Sequence, residues 1–317
     1  MAGRYVHLHT HSHYSFLQAL PKVDELVAKA KKEGMHALGL TDAGNMHGAI
    51  EFYKDMKKAG MNPVLGVDAY VAPQSRLDRD QATAEKRTRL VLLAENDEGY
   101  RNLMALITKS FTEGYFDKPL MDKEILKAHA RGVIALIPSF AGDVPRLLAA
   151  GQREAASAAL AEWKSIFGAD NLFLEITHHP KAEGHAEKME KVAQLSRESG
   201  VPLVAQQDVY YLDPGDRDAT ETMRRIQHGG AGRNEDEDFS FTSEKEMRKR
   251  FKDMPDAVDR SGEIADRCSV TLNLGSWVFP NFPAEPGKTH EQTLRERAYD
   301  GLSARGLSKD DPEVATR

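Results

Sequence analysis

Short apolar runs alternate with stretches of helical periodicity over the first two thirds of the chain. The runs have the length and residue types of buried strands, and apolar side chains in the stretches between them recur every three or four positions. The predicted strands are Tyr5–His9, Ala37–Thr41, Pro63–Val71, Arg89–Ala94, Val133–Pro138, Leu172–Thr177 and Pro202–Gln206. The predicted helices are Val23–Glu33, Gly48–Ala59, Glu98–Ser110, Val144–Ala150, Arg153–Phe167 and Ala182–Ser199. This alternation is typical of a parallel sheet covered by helices.

The pattern leaves undecided whether the sheet is open or closed into a barrel. In both architectures, ligands bind beyond the carboxyl ends of the parallel strands. Residues that directly follow a predicted strand are therefore the first candidates for ligand-binding or catalytic residues.

The last third of the chain has a different pattern, in which helices and turns replace strands. A capping-box signature spans Ser243–Glu246, and Glu291–Leu302 has the periodicity of an amphipathic helix. The acid-rich and glycine-rich stretch Gly229–Asp238 predicts an exposed loop, and Val270–Leu274 predicts one further strand. An α/β core followed by a small, mostly helical part is expected.

The composition indicates a soluble globular protein. Of the 317 residues, 40% are hydrophobic and 29% are charged. The sequence has neither a membrane-length apolar stretch nor a secretory signal pattern, so we expect a cytoplasmic protein without membrane contact. A formal net charge of −6 is unfavourable for a surface that coats nucleic acid, although Lys245–Lys252 is locally basic. The single cysteine, Cys268, excludes an internal disulfide and is expected to be buried.

Four histidines at alternate positions near the N-terminus are the strongest chemical signal in the chain. His7, His9, His11 and His13 would share one face of an extended strand. Neutral imidazole is a good ligand for zinc and other transition metals. The run predicts a metal site, against the alternative that some rings are packed and others solvated.

Three aspartates stand at the ends of predicted strands. Asp42, Asp68 and Asp208 would converge on the histidines if their strands adjoin in one sheet. Each alone is as easily a turn or helix-cap residue. Together with the histidines they suggest a metal centre.

The histidine run is also part of a longer set of motifs that resembles the PHP (polymerase and histidinol phosphatase) family, in particular its branch in bacterial DNA polymerase III alpha subunits. His7–Ser15 is similar to the family's opening motif, Thr41–Asn45 to its Thr-Asp-His-Gly-Asn turn, and Gly66–Val71 to its Gly-x-Glu-Ala-Tyr-Val strand. Further similar segments are Gly99–Leu103, Glu113–Tyr115, Gln207–Tyr211, Glu263–Cys268 and Phe279–Phe282. The resemblance covers nearly the whole chain.

For the fold, the resemblance implies a distorted (β/α)7 barrel of the PHP type with a small, mostly helical C-terminal appendage. We accordingly expect the barrel core at residues 1–212 and the completion of the PHP domain with a helical extension at 213–285. Residues 286–317 would begin a linker or the next polymerase domain.

For the site, the resemblance implies a metal centre of histidines and carboxylates. By motif position, the ligands of a first metal are His9, His11, Asp68 and Asp208. The family usually has glutamate where Asp68 stands, and the shorter aspartate reaches less far toward a second metal.

Several ligand positions of the family carry residues that do not suit a metal. Four such vacant positions are Gln18, Ala43, Ser139 and Tyr210. Arg89 falls where a further histidine usually precedes a strand, and a fixed cation there can take over part of a metal's electrostatic role. We therefore expect at most one divalent metal, zinc or manganese, or none. Auxiliary residues are predicted at His13, Asp42, Arg89 and His179.

The resemblance implies a module of a replicative DNA-directed DNA polymerase, and three hypotheses describe its role. The first is a structural or partner-binding domain without activity of its own, which contacts the remaining polymerase domains, a proofreading exonuclease subunit, and DNA through the full-length enzyme. The second is an active metal-dependent phosphoesterase or 3′–5′ exonuclease. The third is a stand-alone phosphatase. Polymerisation by these residues alone is not expected, because the family's nucleotidyl-transfer carboxylates lie in a later region.

Overall fold

A computed structural model describes residues 5–81, 86–227, 237–277 and 279–315. The chain divides into two compact units, residues 1–272 and residues 273–317. The strands of the first unit are β1 (Ala37–Leu40), β2 (Asn62–Val71), β3 (Thr88–Ala94), β4 (Leu120–Met121), β5 (Val133–Ile137), β6 (Leu172–Ile176) and β7 (Leu203–Ala205). The predicted domain boundaries near residues 212 and 285 stay predictions.

Helices pack around this sheet and make up most of the rest of the first unit. They are α1 (Val23–Lys32), α2 (Ala49–Ala59), α3 (Asp97–Thr112), α4 (Lys123–Ala128), α5 (Asp143–Ala149), α6 (Arg153–Phe167), α7 (His185–Ser199), α8 (Arg217–Gln227), α9 (Glu244–Arg250) and α10 (Pro255–Arg267). The second unit contains α11 (His290–Ala304), which confirms the predicted C-terminal helix, and α12 (Pro312–Ala315). None of the described helices is long and apolar enough to cross a membrane.

Side-chain caps fix where several helices begin. The side chain of Asn96 accepts hydrogen bonds from the amides of Glu98 and Gly99 at the start of α3. The predicted cap Ser243 accepts from the amide of Glu246 at the start of α9. These contacts satisfy amides that have no partner within the helix.

The sheet is mixed, with the spatial order β1-β2-β3-β5-β6-β7 and β4 beside β2. Neighbouring strands are parallel except at β3, which runs antiparallel to both β2 and β5. The expectation of an all-parallel sheet was therefore wrong at this strand. Its register pairs Val71 with Thr88, so the chain leaves β2 and returns into β3 at the same end of the sheet.

The N-terminal segment joins the two edges of this curled sheet. Four backbone hydrogen bonds hold it, from Gly39 N to His7 O (2.7 Å), Thr41 N to Thr10 O (2.9 Å), Val209 N to His9 O (3.2 Å) and His11 N to Val209 O (2.9 Å). The predicted strand Tyr5–His9 is therefore an extended linking segment without strand assignment, and the next residue, Thr10, forms a bridge with Val209. A Cβ atom at Gly39 would lie 2.8 Å from the backbone of Leu8, so this close approach requires glycine.

The two faces of the sheet bury separate apolar clusters. On β3 and β5, Leu90 and Val133 belong to the large cluster under the surrounding helices, whereas Val91 and Ile134 belong to a smaller cluster inside the barrel. Strand side chains alternate between faces, which explains the division. The smaller cluster also contains Cys268 at the end of α10, which confirms that the single cysteine is buried.

Two predictions concern a strand and a loop in the C-terminal third of the chain. The described chain has no strand at Val270–Leu274, so that prediction was wrong. The predicted loop Gly229–Asp238 lies mostly outside the described residues, apart from its last two positions.

Candidate metal centre

The histidine and carboxylate side chains meet at the end of the barrel where β2 and β7 finish. His9 and His11 come from the N-terminal segment, Asp68 from the second half of β2, and Asp208 from the chain just after β7. Because β3 runs the opposite way, its early residue Arg89 lies at this end too, opposite Tyr70. The fold therefore brings all four predicted ligands together.

Three of these residues form a group with the geometry of a metal site. The ligand atoms of His9, His11 and Asp208 all lie within 4.8 Å of one another, and all three residues are buried. Oδ1 of Asp208 lies 3.1 Å from Nε2 of His11 and 3.4 Å from Nε2 of His9. Two imidazoles and a carboxylate suit zinc, and they also suit manganese with added water or substrate oxygens. The donor chemistry therefore fits one divalent cation.

Asp68 forms an ion pair with Arg89. Nε of Arg89 donates to Oδ1 of Asp68 at 3.0 Å, and a terminal guanidinium nitrogen donates to Oδ2. Oδ2 also lies 3.3 Å from Nε2 of His9 and 3.6 Å from Nε2 of His11. The guanidinium rests on the ring of Tyr70, 4.2 Å from its centroid. Arg89 thus neutralises the Asp68 carboxylate without a metal ion.

Glu175 is a site residue that sequence reasoning missed. Its Oε2 lies 2.7 Å from Nδ1 of His9, and its Oε1 accepts a hydrogen bond from the amide of Ser139 at 3.2 Å. The available signal was a single carboxylate within the otherwise apolar strand β6. A buried carboxylate needs partners to offset its desolvation, so such a residue marks a polar site.

The four positions predicted as vacant, Gln18, Ala43, Ser139 and Tyr210, each have other contacts. The Gln18 amide donates to the Tyr70 hydroxyl, and the Ser139 hydroxyl lies 2.6 Å from that of Thr177. Ala43 forms a backbone bridge with Asp68. Tyr210 stacks on the ring of His11 with centroids 4.4 Å apart.

The predicted auxiliary residues fall into different places. Arg89 is in the centre, but His13 is exposed and packs on Tyr14. Asp42 accepts from the amide and hydroxyl of Ser12 and from the hydroxyl of Ser15, as a turn-stabilising residue does. His179 packs against Phe140, Phe239 and His185 and does not bond to the centre.

The four alternate histidines do not share one face. His7 lies two positions before His9, but its ring nitrogens contact the backbone oxygen of Thr242 (2.8 Å) and the hydroxyl of Tyr5 (3.1 Å). His13 follows after the chain has left the barrel. Only the middle pair points into the site, because the segment is not a regular strand along its whole length.

Charge balance sets the protonation of the centre. Burial alone would lower the pKa of His9, but the carboxylates of Asp208, Glu175 and Asp68 raise it well above its usual 6.5. Burial alone would raise the pKa of Asp68, but the Arg89 guanidinium and the adjacent imidazoles hold it well below its usual range. The same imidazoles lower the pKa of Asp208 against the effect of burial. The three carboxylates therefore favour the protonated form of His9, and the guanidinium of Arg89 adds a fixed positive charge beside Asp68.

The buried residue His185 leads to a prediction about stability and pH. Burial, helped by the charge of Lys188, lowers the pKa of His185 to about 4 from its usual 6.5. The unfolded chain takes up a proton here below about pH 6.5 and the folded chain does not, so stability present above that pH is lost as the pH falls toward 4.

We expect the free energy of unfolding, measured with urea between pH 7 and pH 4.5, to fall less steeply in His185→Gln than in the wild type. The exposed His13→Gln variant should keep the wild-type slope. Parallel profiles for His185→Gln and the wild type would contradict the assignment.

The fold is a curled α/β barrel with a buried histidine–carboxylate cluster at the strand ends, an arrangement that could hold a divalent cation. The sequence model of the PHP domain matches residues 7–179, so the chain belongs to the PHP-domain family. It is 36% identical to DNA polymerase III subunit alpha of Borreliella burgdorferi over 313 residues, which cover 96% of this chain and 27% of that protein. For the Treponema pallidum subunit the identity is also 36%, covering 96% of this chain and 26% of that protein.

The chain thus spans about a quarter of the length of these relatives. Among solved structures, it is similar to an amidohydrolase from Chromobacterium violaceum, with 13% identity, a TM-score of 0.42, and 65% of this chain and 87% of that one covered. A putative metal-dependent phosphoesterase from Bifidobacterium adolescentis gives 13% identity and a TM-score of 0.40, with 78% and 96% covered.

Proposed function

We propose that this chain is the PHP module of a replicative DNA polymerase III alpha subunit, acts in the cytoplasm, and has a structural role without hydrolytic activity of its own. The observation that carries the proposal is the ion pair between Arg89 and Asp68, which engages both carboxylate oxygens. A fixed guanidinium repels any metal that would bridge through Asp68. In two-metal phosphatases and nucleases, the metals stabilise both the attacking and the leaving oxygen, and an arrangement with one cation at most lacks this clamp.

At most one divalent cation, zinc or manganese, would bind, at His9, His11 and Asp208. When bound, such a cation would supply Lewis acidity and a more acidic water. The protein's own contribution is to orient these ligands and to keep the charge of Asp68 neutralised by Arg89.

A hydrolysis assay tests the proposal against the alternative of an active phosphoesterase or 3′–5′ exonuclease. We expect single-stranded DNA and a bis-aryl phosphodiester, each with added zinc or manganese, to be cleaved no faster by the wild type than by His9→Ala/His11→Ala. A metal-dependent rate that the double variant loses would overturn the structural role and favour the nuclease.

An apolar surface on residues 273–317 supports the expected contact with further polymerase domains. Trp277 and Phe279 are 87% and 78% exposed and stack on each other, and Leu294 on α11 is 71% exposed. The stacked Trp277–Phe279 pair is an exposed apolar group of the kind that marks interaction surfaces. We infer that in a polymerase of the relatives' length this surface packs against another segment of the same polypeptide.

Hydrogen–deuterium exchange tests this contact. In a chimera where the chain replaces its homologous segment in the Borreliella burgdorferi subunit, peptides containing Trp277 and Phe279 are expected to exchange more slowly than in the 317-residue chain. Peptides from β2 serve as the control and should not change. Equal exchange at Trp277 in both proteins would argue against packing there. A proofreading exonuclease partner and DNA contacts through the complete polymerase stay predictions.

A further inference from the structure

The two nitrogens of the His9 ring face different partners. Nδ1 lies 2.7 Å from Oε2 of Glu175, on the far side of the ring from the other ligands. Nε2 lies 3.3 Å from Asp68 and 3.4 Å from Asp208. His9 and Glu175 are each 1% exposed, so water does not compete for these contacts.

The chemistry of the Glu175 contact fixes which nitrogen of His9 carries a proton. An ionised carboxylate only accepts hydrogen bonds, so Nδ1 must be the N–H donor. The nitrogen left to bind a cation is then Nε2, the atom that faces Asp208 and His11. A carboxylate behind a ligating imidazole commonly sets ring orientation and basicity in this way.

We propose that Glu175 is a positioning residue, which orients His9 so that Nε2 completes a divalent-cation site with His11 and Asp208. Glu175 is not a member of the ligand group found among the described residues, and its oxygen lies behind the ring of His9. It therefore acts through His9 and not on the cation. This inference rests on the proposed one-cation site.

Both carboxylate oxygens of Glu175 have hydrogen-bond partners, which makes the conservative substitution Glu175→Gln informative. Its Oε1 accepts from the amide of Ser139, while Oε2 accepts from His9. Both partners are N–H donors, so a glutamine, with one oxygen and one NH₂ group, can satisfy only one of them. Ser139, predicted as a vacant ligand position, thus contributes through its backbone.

The test compares Glu175→Gln with Asp143→Asn. Asp143 accepts from the indole N–H of Trp163 at 2.8 Å, so its variant also replaces a carboxylate that holds a ring N–H, but away from the centre. Two quantities are measured on each purified chain. One is zinc and manganese affinity by calorimetry, and the other is the ¹H–¹⁵N signal of the His9 Nδ1–H group.

We expect Glu175→Gln to bind the cation roughly 10–100-fold more weakly. The His9 Nδ1–H signal should shift upfield or disappear, because glutamine offers this group at most a neutral oxygen in place of a carboxylate, and Asp143→Asn should change neither quantity. A signal at the wild-type position in Glu175→Gln, or an affinity within twofold of the wild type, would overturn the positioning role. If the wild type binds neither cation, the one-cation site fails. A shifted or lost Nδ1–H signal in Glu175→Gln would then still support Glu175 as the residue that orients His9, and an unchanged signal would refute it.

Discussion

Arg89→Leu is expected to lower the free energy of unfolding by about 3–5 kcal/mol at pH 7, as the loss of one partner from a buried ion pair does. The side chains of Arg89 and Asp68 are only 14% and 3% exposed, so removal of the guanidinium leaves a desolvated carboxylate with only histidines beside it. Urea unfolding followed by circular dichroism measures the change.

Two further variants separate the ion pair from general effects of losing an arginine. Arg153→Leu removes an exposed pair with Glu198 and should cost no more than about 1 kcal/mol. Arg89→Leu/Asp68→Leu should recover most of the loss, because a buried pair can be replaced by apolar side chains at little cost. A double variant as unstable as Arg89→Leu would show that Asp68 is not the reason for the loss.

The wild-type chain is expected to retain about one equivalent of zinc or manganese after dialysis, and His9→Ala/His11→Ala none, because these imidazoles supply two of the three ligand atoms. Plasma mass spectrometry measures the content. Cation at a hundred times its dissociation constant should also stabilise the wild type by about 2.7 kcal/mol, and this gain should vanish in the double variant.

The control for metal content is His13→Ala/His47→Ala, which removes two exposed histidines and should leave binding intact. Two or three equivalents in the wild type would contradict the view that Arg89 excludes further cations. Retention by His9→Ala/His11→Ala would place the bound metal elsewhere on the chain.

Six of the seven strands of the sheet, most helices and the residues that meet in the candidate centre could be predicted because their signals are local. Apolar runs such as Leu172–Ile176 have no competing periodicity, and Asp208 stands at the end of a short buried strand. His9 and His11 were marked by their spacing and by the resemblance to a family. Convergence of these residues follows from strand ends meeting at one edge of a sheet.

The remaining features depend on contacts between distant parts of the chain. The direction of β3 is set by its partners β2 and β5, and its apolar sequence would suit either direction. Glu175 acquires its role only when the fold brings its side chain against His9, which is 166 positions away along the chain. His7 and His9 have the same local pattern, and only the fold separates a packed ring from a ligand.

The reversed direction of β3 makes the charge of the centre depend on the register between β2 and β3. Arg89 lies at the same end of the barrel as Asp68 because it is paired with Tyr70, two positions beyond Asp68. A slip of one residue in this pairing would turn Arg89 to the outer face and Leu90 inward, since strand side chains alternate. Relatives that keep an arginine at this position should therefore also keep its pairing with the residue at position 70.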